Sequence, residues 1–111
     1  MPRILLTGST PYSEMSPIRH MLISFLDHAE TPITIVRDST GSVEMIAANY
    51  IAGHDWFIDE PHTDGNQAML DSGADSLVAF MQPGSANAKA EDLIARAMAV
   101  DLDCVTFWPP R

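Results

Sequence analysis

A chain of 111 residues has room for one core and therefore one domain. Its 46% hydrophobic and 19% charged residues describe a folded globular protein, and its formal net charge of -9 opposes a phosphate backbone, so nucleic acid is not an expected partner. The one cysteine, Cys104, leaves no internal disulfide and no cysteine-pair metal site.

Only Arg3 precedes the first, very short apolar run, which is not the pattern of a signal peptide. No stretch approaches the roughly 18 apolar residues of a membrane span. A soluble, cytoplasmic protein with no membrane partner is expected.

In chain order, strands and helices alternate. Arg3 to Leu6 reads as a first strand, followed by the turn Thr7-Gly8-Ser9-Thr10. Ser16-Pro17 supplies an N-cap and a proline at the first helical position, and Ile18, Leu22, Phe25 and Leu26 share one helical face. Ile33 to Val36 is a β-branched second strand. Ser42 can cap a second helix with Val43, Ile46, Ala47, Tyr50 and Ile51 inward, stopped by Gly53.

Trp56-Phe57-Ile58, bracketed by Asp55 and Asp59, suits a short edge strand, and Pro61 to Thr63 reads as a loop. Asp64 and Gln67 predict a capping box for a short third helix ended by Gly73. Ser76 to Met81 is apolar nearly throughout, as a central strand covered on both faces would be. A second turn, Gln82-Pro83-Gly84-Ser85, follows it. A fourth helix spans about Ala88 to Val100 with Leu93, Ile94, Ala97 and Met98 inward, and Cys104 to Trp108 forms the fifth strand. Cys104 reads as a small buried hydrophobe, and Met15, Met21, Met45, Met69, Met81 and Met98 as core filler.

This alternation predicts an α/β, Rossmann-like three-layer sandwich with a five-stranded parallel sheet. Right-handed crossovers favour the orders 3-2-1-4-5 and 2-1-3-4-5. The first is the expected one, because it sets the two glycine-serine turns side by side at the crevice where ligands bind in open α/β sheets.

The motifs in these turns resemble the small domains of the SLOG superfamily, which includes the LOG phosphoribohydrolases and the DNA-processing protein DprA; the YspA/YpsA-like branch is closest in length. The opening "TGS" turn is kept as Thr7-Gly8-Ser9. The glycine-rich "GGARGAD" element reads Asp38-Ser39-Thr40-Gly41-Ser42-Val43-Glu44, without the paired glycines. "RNxxM" appears as Gly65-Asn66-Gln67-Ala68-Met69, with glycine for arginine. "PGGxGTxxE" aligns to Pro83 through Glu91 and keeps Pro83, Gly84 and Glu91, while Ser85, Asn87 and Ala88 replace two glycines and the threonine.

The resemblance implies a nucleotide-like ligand at the carboxyl ends of the first and fourth strands. Gly8, Gly41 and Gly84 then allow close backbone approach beside Pro83 and Asn66, Ser9, Ser39, Thr40, Ser42 and Ser85 offer hydroxyls, and Arg37 offers a cation. Glu91 matches the LOG carboxylate that would assist ribosyl hydrolysis, but the partner arginine is Gly65. A non-catalytic binding module without a cofactor is therefore the expected function. The alternatives are a weak nucleoside-monophosphate phosphoribohydrolase and an interaction domain, of a kind that phages or plasmids carry, with a vestigial pocket. His54, Asp59, His62 and Asp64 match no strong metal-site spacing, and no metal is expected. Trp56, Phe107 and Trp108 exceed what a small core can bury and are candidates for a homodimer contact.

Overall fold

A computed structural model describes residues 2–9, 15–28, 30–39, 41–82 and 87–108. Five strands form one all-parallel sheet in the order β3-β2-β1-β4-β5. They are β1 (Arg3–Gly8), β2 (Ile33–Asp38), β3 (Phe57–His62), β4 (Ser76–Phe80) and β5 (Asp103–Phe107). The helices between them are α1 (Met15–His28), α2 (Ser42–Ile51), α3 (Asn66–Asp71) and α4 (Ala88–Ala99). The result is the expected Rossmann-like sandwich.

Two apolar layers hold the sheet, one on each face. Ile4, Leu6, Ile35, Val78 and Phe80 pack against Ile18 and Leu22 of α1 and Val43, Ala47 and Ile51 of α2. Leu5, Val36, Leu77 and Ala79 meet Met69 of α3 and Ala90, Leu93 and Ala97 of α4. Successive residues of each strand thus face opposite layers, and β1 and β4 are buried on both sides, which is why their sequences read as unbroken apolar runs.

Several local expectations are corrected. Helix α1 starts at Met15, so Ser16 and Pro17 lie in its first turn. Ser42 is the first helical residue of α2 and makes no capping bond; Gly41 is the cap, at φ 121°. In α3 the cap is Gly65, while Gln67 bonds Asp71 and receives Arg96 instead of completing a box with Asp64. Strand β3 continues through Pro61 to His62, because an edge strand can absorb a proline that lacks a donor. Gly53 and Gly73 do sit just past helix ends with positive φ.

Burial also departs from the apolar pattern. Met21, Met69 and Met81 are core, but Met15, Met45 and Met98 are exposed. Cys104 is only half-buried, since β5 is an edge strand. Trp56 precedes β3 at one end of the sheet, whereas Phe107 and Trp108 lie at the other, so the three aromatics form no common patch. Among the described residues, no helix is long and apolar enough to cross a membrane.

Candidate functional site

The winding of the sheet reverses between β1 and β4, and the buried polar residues Thr7, Ser9, Asp38 and Glu44 lie at the carboxyl end of the sheet there. Strand β1 leaves the sheet through Thr7, Gly8 and Ser9. Thr7 and Ser9 are buried, and Ser9 is already fully engaged. Its N–H donates to the Phe80 carbonyl at 2.9 Å, its hydroxyl accepts from the Gln82 N–H at 2.7 Å, and the same hydroxyl donates to Asn87 Oδ1. Ser9 therefore clamps the exit of β4 to the start of α4.

Gly8 has a packing reason to be glycine. A Cβ there would collide with the Val43 side chain and with the Phe80 carbonyl oxygen. The close approach it allows is that of α2 to the sheet.

Arg37 is likewise committed to the fold. Its guanidinium meets both carboxylate oxygens of Asp59 at 2.7 and 2.8 Å and also reaches the Asp38 carbonyl at 3.2 Å. The Asp59 carboxylate raises its pKa above the ordinary arginine value. Ser39 directs its N–H to the His62 carbonyl at 2.8 Å, so it extends the β2–β3 seam.

The charged groups that converge at the switch point are Asp38, Glu44 and Lys89. Asp38 ends β2, and its carboxylate lies 2.5 Å from the Lys89 ammonium in the first turn of α4. Glu44, in the first turn of α2, is 3% exposed, with Oε2 buried and no hydrogen-bond partner for it among the described residues. Gly41 faces that carboxyl so closely that a Cβ would overlap it. Burial pushes the Glu44 pKa up to about 7, a helix-start N–H, Lys89 and the Thr7 hydroxyl pull it down, and Asp38 adds to the rise.

Asn66 acts one step away. Its amide donates to the Lys89 carbonyl at 2.9 Å and to Asp92 at 3.0 Å, tying α3 to the turn of α4 that carries Lys89. Glu91 sits exposed in that first turn, and its N–H donates to the Asn87 carbonyl. Thr40, Pro83, Gly84 and Ser85 lie outside the described residues. Of the sequence candidates, Gly8, Ser9, Gly41 and Ser42 are brought to the switch point; Arg37 and Ser39 turn toward β3.

The residues missed from sequence are Glu44, Asp38 and Lys89, with Thr7 and Asn87 beside them. For Glu44 a signal existed: Ala47 and Ile51 follow it at three and seven residues, and both are buried, so an acid sits on the inward stripe of α2. The Asp38–Lys89 pair spans 51 residues of chain and has no local signature. Of the histidine-aspartate cluster, Asp59 holds Arg37 and His62 pairs with Glu60 at 2.8 Å. Among the described residues, no three His, Cys, Asp or Glu side chains are grouped to hold a metal ion.

No protein-family model, curated protein or solved structure matches the chain.

Proposed function

We propose that this chain is a non-catalytic binding module, SLOG-like and cytoplasmic, for a nucleotide or nucleotide-derived ligand at the carboxyl ends of β1 and β4. The observation that carries the reading is the convergence of Asp38, Glu44 and Lys89 on the topological switch point, from three different elements of a chain whose acids otherwise lie mostly outside. An acid at the end of the second strand is placed as ribose-binding acids are in this architecture, and a lysine at a helix start suits a phosphate. Lys89 takes the place of Arg37 as the ligand's cation, because its ammonium is about half exposed while the Arg37 guanidinium is buried and held by both oxygens of Asp59.

Thermal shift with a panel of adenosine monophosphate, ADP-ribose and a dinucleotide tests the reading. A saturable rise in Tm with at least one of them is expected, weakened in Lys89→Ala. No rise across the panel rejects the binding module in favour of an interaction domain.

One observation favours the hydrolase as a second reading. General acid–base chemistry uses a buried carboxyl with an oxygen free to exchange a proton, and Glu44 at the switch point is such a group, its Oε2 buried without a partner among the described residues and its pKa raised by burial. Adenine released from adenosine monophosphate, and lost in Glu44→Gln, would establish that reading; no release leaves the chain a binder.

A further inference from the structure

The two edges of the sheet are built differently. On β3, Asp59, Glu60 and Pro61 guard the margin, their carboxylates neutralised by Arg37 and Arg3. On β5 the sequence Asp103-Cys104-Val105-Thr106-Phe107 carries one charge and no proline, and among the described residues it pairs only with β4. Val105 and Phe107 remain 49% and 40% exposed, and Trp108 beyond them 53%. Phe107 is held in place by stacking on Phe80 at 5.0 Å, so it presents a fixed apolar surface.

Beside this strand runs a groove of about 430 Å³ between α1 and β5, lined by Pro17, His20, Met21, Phe25, Val105 and Phe107 among others. None of its lining residues is acidic. On a chain of net charge -9, a margin with an acid-free groove and a single acid, Asp103, at the start of its strand is where a second equally acidic copy can approach with the fewest like charges meeting.

We infer that β5 pairs antiparallel with β5 of a second copy across a two-fold axis at Val105, joining two sheets into one of ten strands. The strand is complementary to itself in this register. Val105 faces Val105, Cys104 faces Thr106, and each Asp103 faces a Phe107, so the two Asp103 carboxylates lie at opposite ends of the seam. Each groove then receives apolar side chains of the other copy. This pairing is independent of whether the switch point binds a nucleotide.

Sedimentation velocity on the full chain at micromolar concentration tests it. The wild type is expected to sediment as a dimer, and Val105→Lys and Val105→Glu each as monomers, because each sets like charges across the axis. Their equimolar mixture is expected to sediment as a dimer again, now with opposite charges facing. Opposed residues in an antiparallel pair stand about 4.5–5.5 Å apart at Cα, within disulfide range. Mild oxidation of Thr106→Cys should therefore cross-link the introduced thiol to Cys104 of the second copy. Circular dichroism of each variant separates lost pairing from lost fold. A monomeric wild type, a dimer that persists in Val105→Lys, or failure of the mixture to pair overturns the proposal.

Discussion

Lys89 and Asp38 join the first turn of α4 to the carboxyl end of β2, passing over the end of β1 with 2.5 Å between ammonium and carboxylate. Asp38 is buried while Lys89 is about half exposed, so the pair is unequal: removing the lysine takes a positive charge away from an acid with little access to water. Lys89→Ala should lower stability by about 1–3 kcal/mol, the cost of losing a short charge-assisted contact to a buried carboxylate. Because Lys89 also favours the ionised form of Glu44, the variant should raise the Glu44 pKa further above about 7. Carboxyl-carbon NMR titration measures the second effect, and denaturant unfolding the first.

Glu44 itself makes stability depend on pH. Its pKa rises from an ordinary 4.5 to about 7 on folding, so between those values the folded chain binds more protons than the unfolded one. Its contribution is therefore most favourable below about 4.5, declines as pH rises through the window, and is flat above about 7. At one pKa unit per 1.4 kcal/mol the span is about 3 kcal/mol. Glu44→Gln should gain up to that amount at pH 8 relative to pH 4, and the difference in Tm between variant and wild type should vanish toward the acid end.

Gly8→Ala should be severely destabilising, by about 2–3 kcal/mol or more, because the added methyl meets both a side chain and a backbone carbonyl. Combining it with Val43→Ala should recover only part of the loss. The Val43 methyl would then be gone, but the Phe80 carbonyl would remain. Full recovery in the double variant, read by thermal unfolding, would show that the carbonyl is no obstacle.

Arg37 and Lys89 should separate in their effects. Arg37→Ala removes a buried guanidinium and its bidentate bond to the exposed Asp59 carboxylate and should cost about 1–3 kcal/mol of stability. Its effect on adenosine monophosphate affinity, measured by calorimetry on folded protein, should be much smaller than that of Lys89→Ala. Equal losses of affinity would return the phosphate contact to Arg37.

The strand order and both apolar layers were legible because β1 and β4 are doubly buried and the helices carry periodic apolar faces. Legibility failed where a local rule yielded to a tertiary one. Pro61 marks a loop in isolation but is compatible with an edge strand, and Gln67 abandons its cap for Arg96 of α4. At the site, the glycine-serine turns were readable as a position but misleading as chemistry. Ser9 spends its donors on the fold, and Arg37 finds Asp59 only once β2 and β3 are adjacent. Exposed methionines such as Met98 cannot be told from buried ones by type alone.

The proline in β3 has a further consequence for assembly. A parallel sheet with two receptive margins can add copies at both, and each addition leaves a new margin for the next, which is the route to fibres. Here Pro61 removes a backbone donor from one margin, and the ion-paired side chains of Asp59 and Glu60 beside it present a polar surface in place of an apolar one. Whatever joins at β5 meets a terminus on the far side, so growth along the sheet stops after one step.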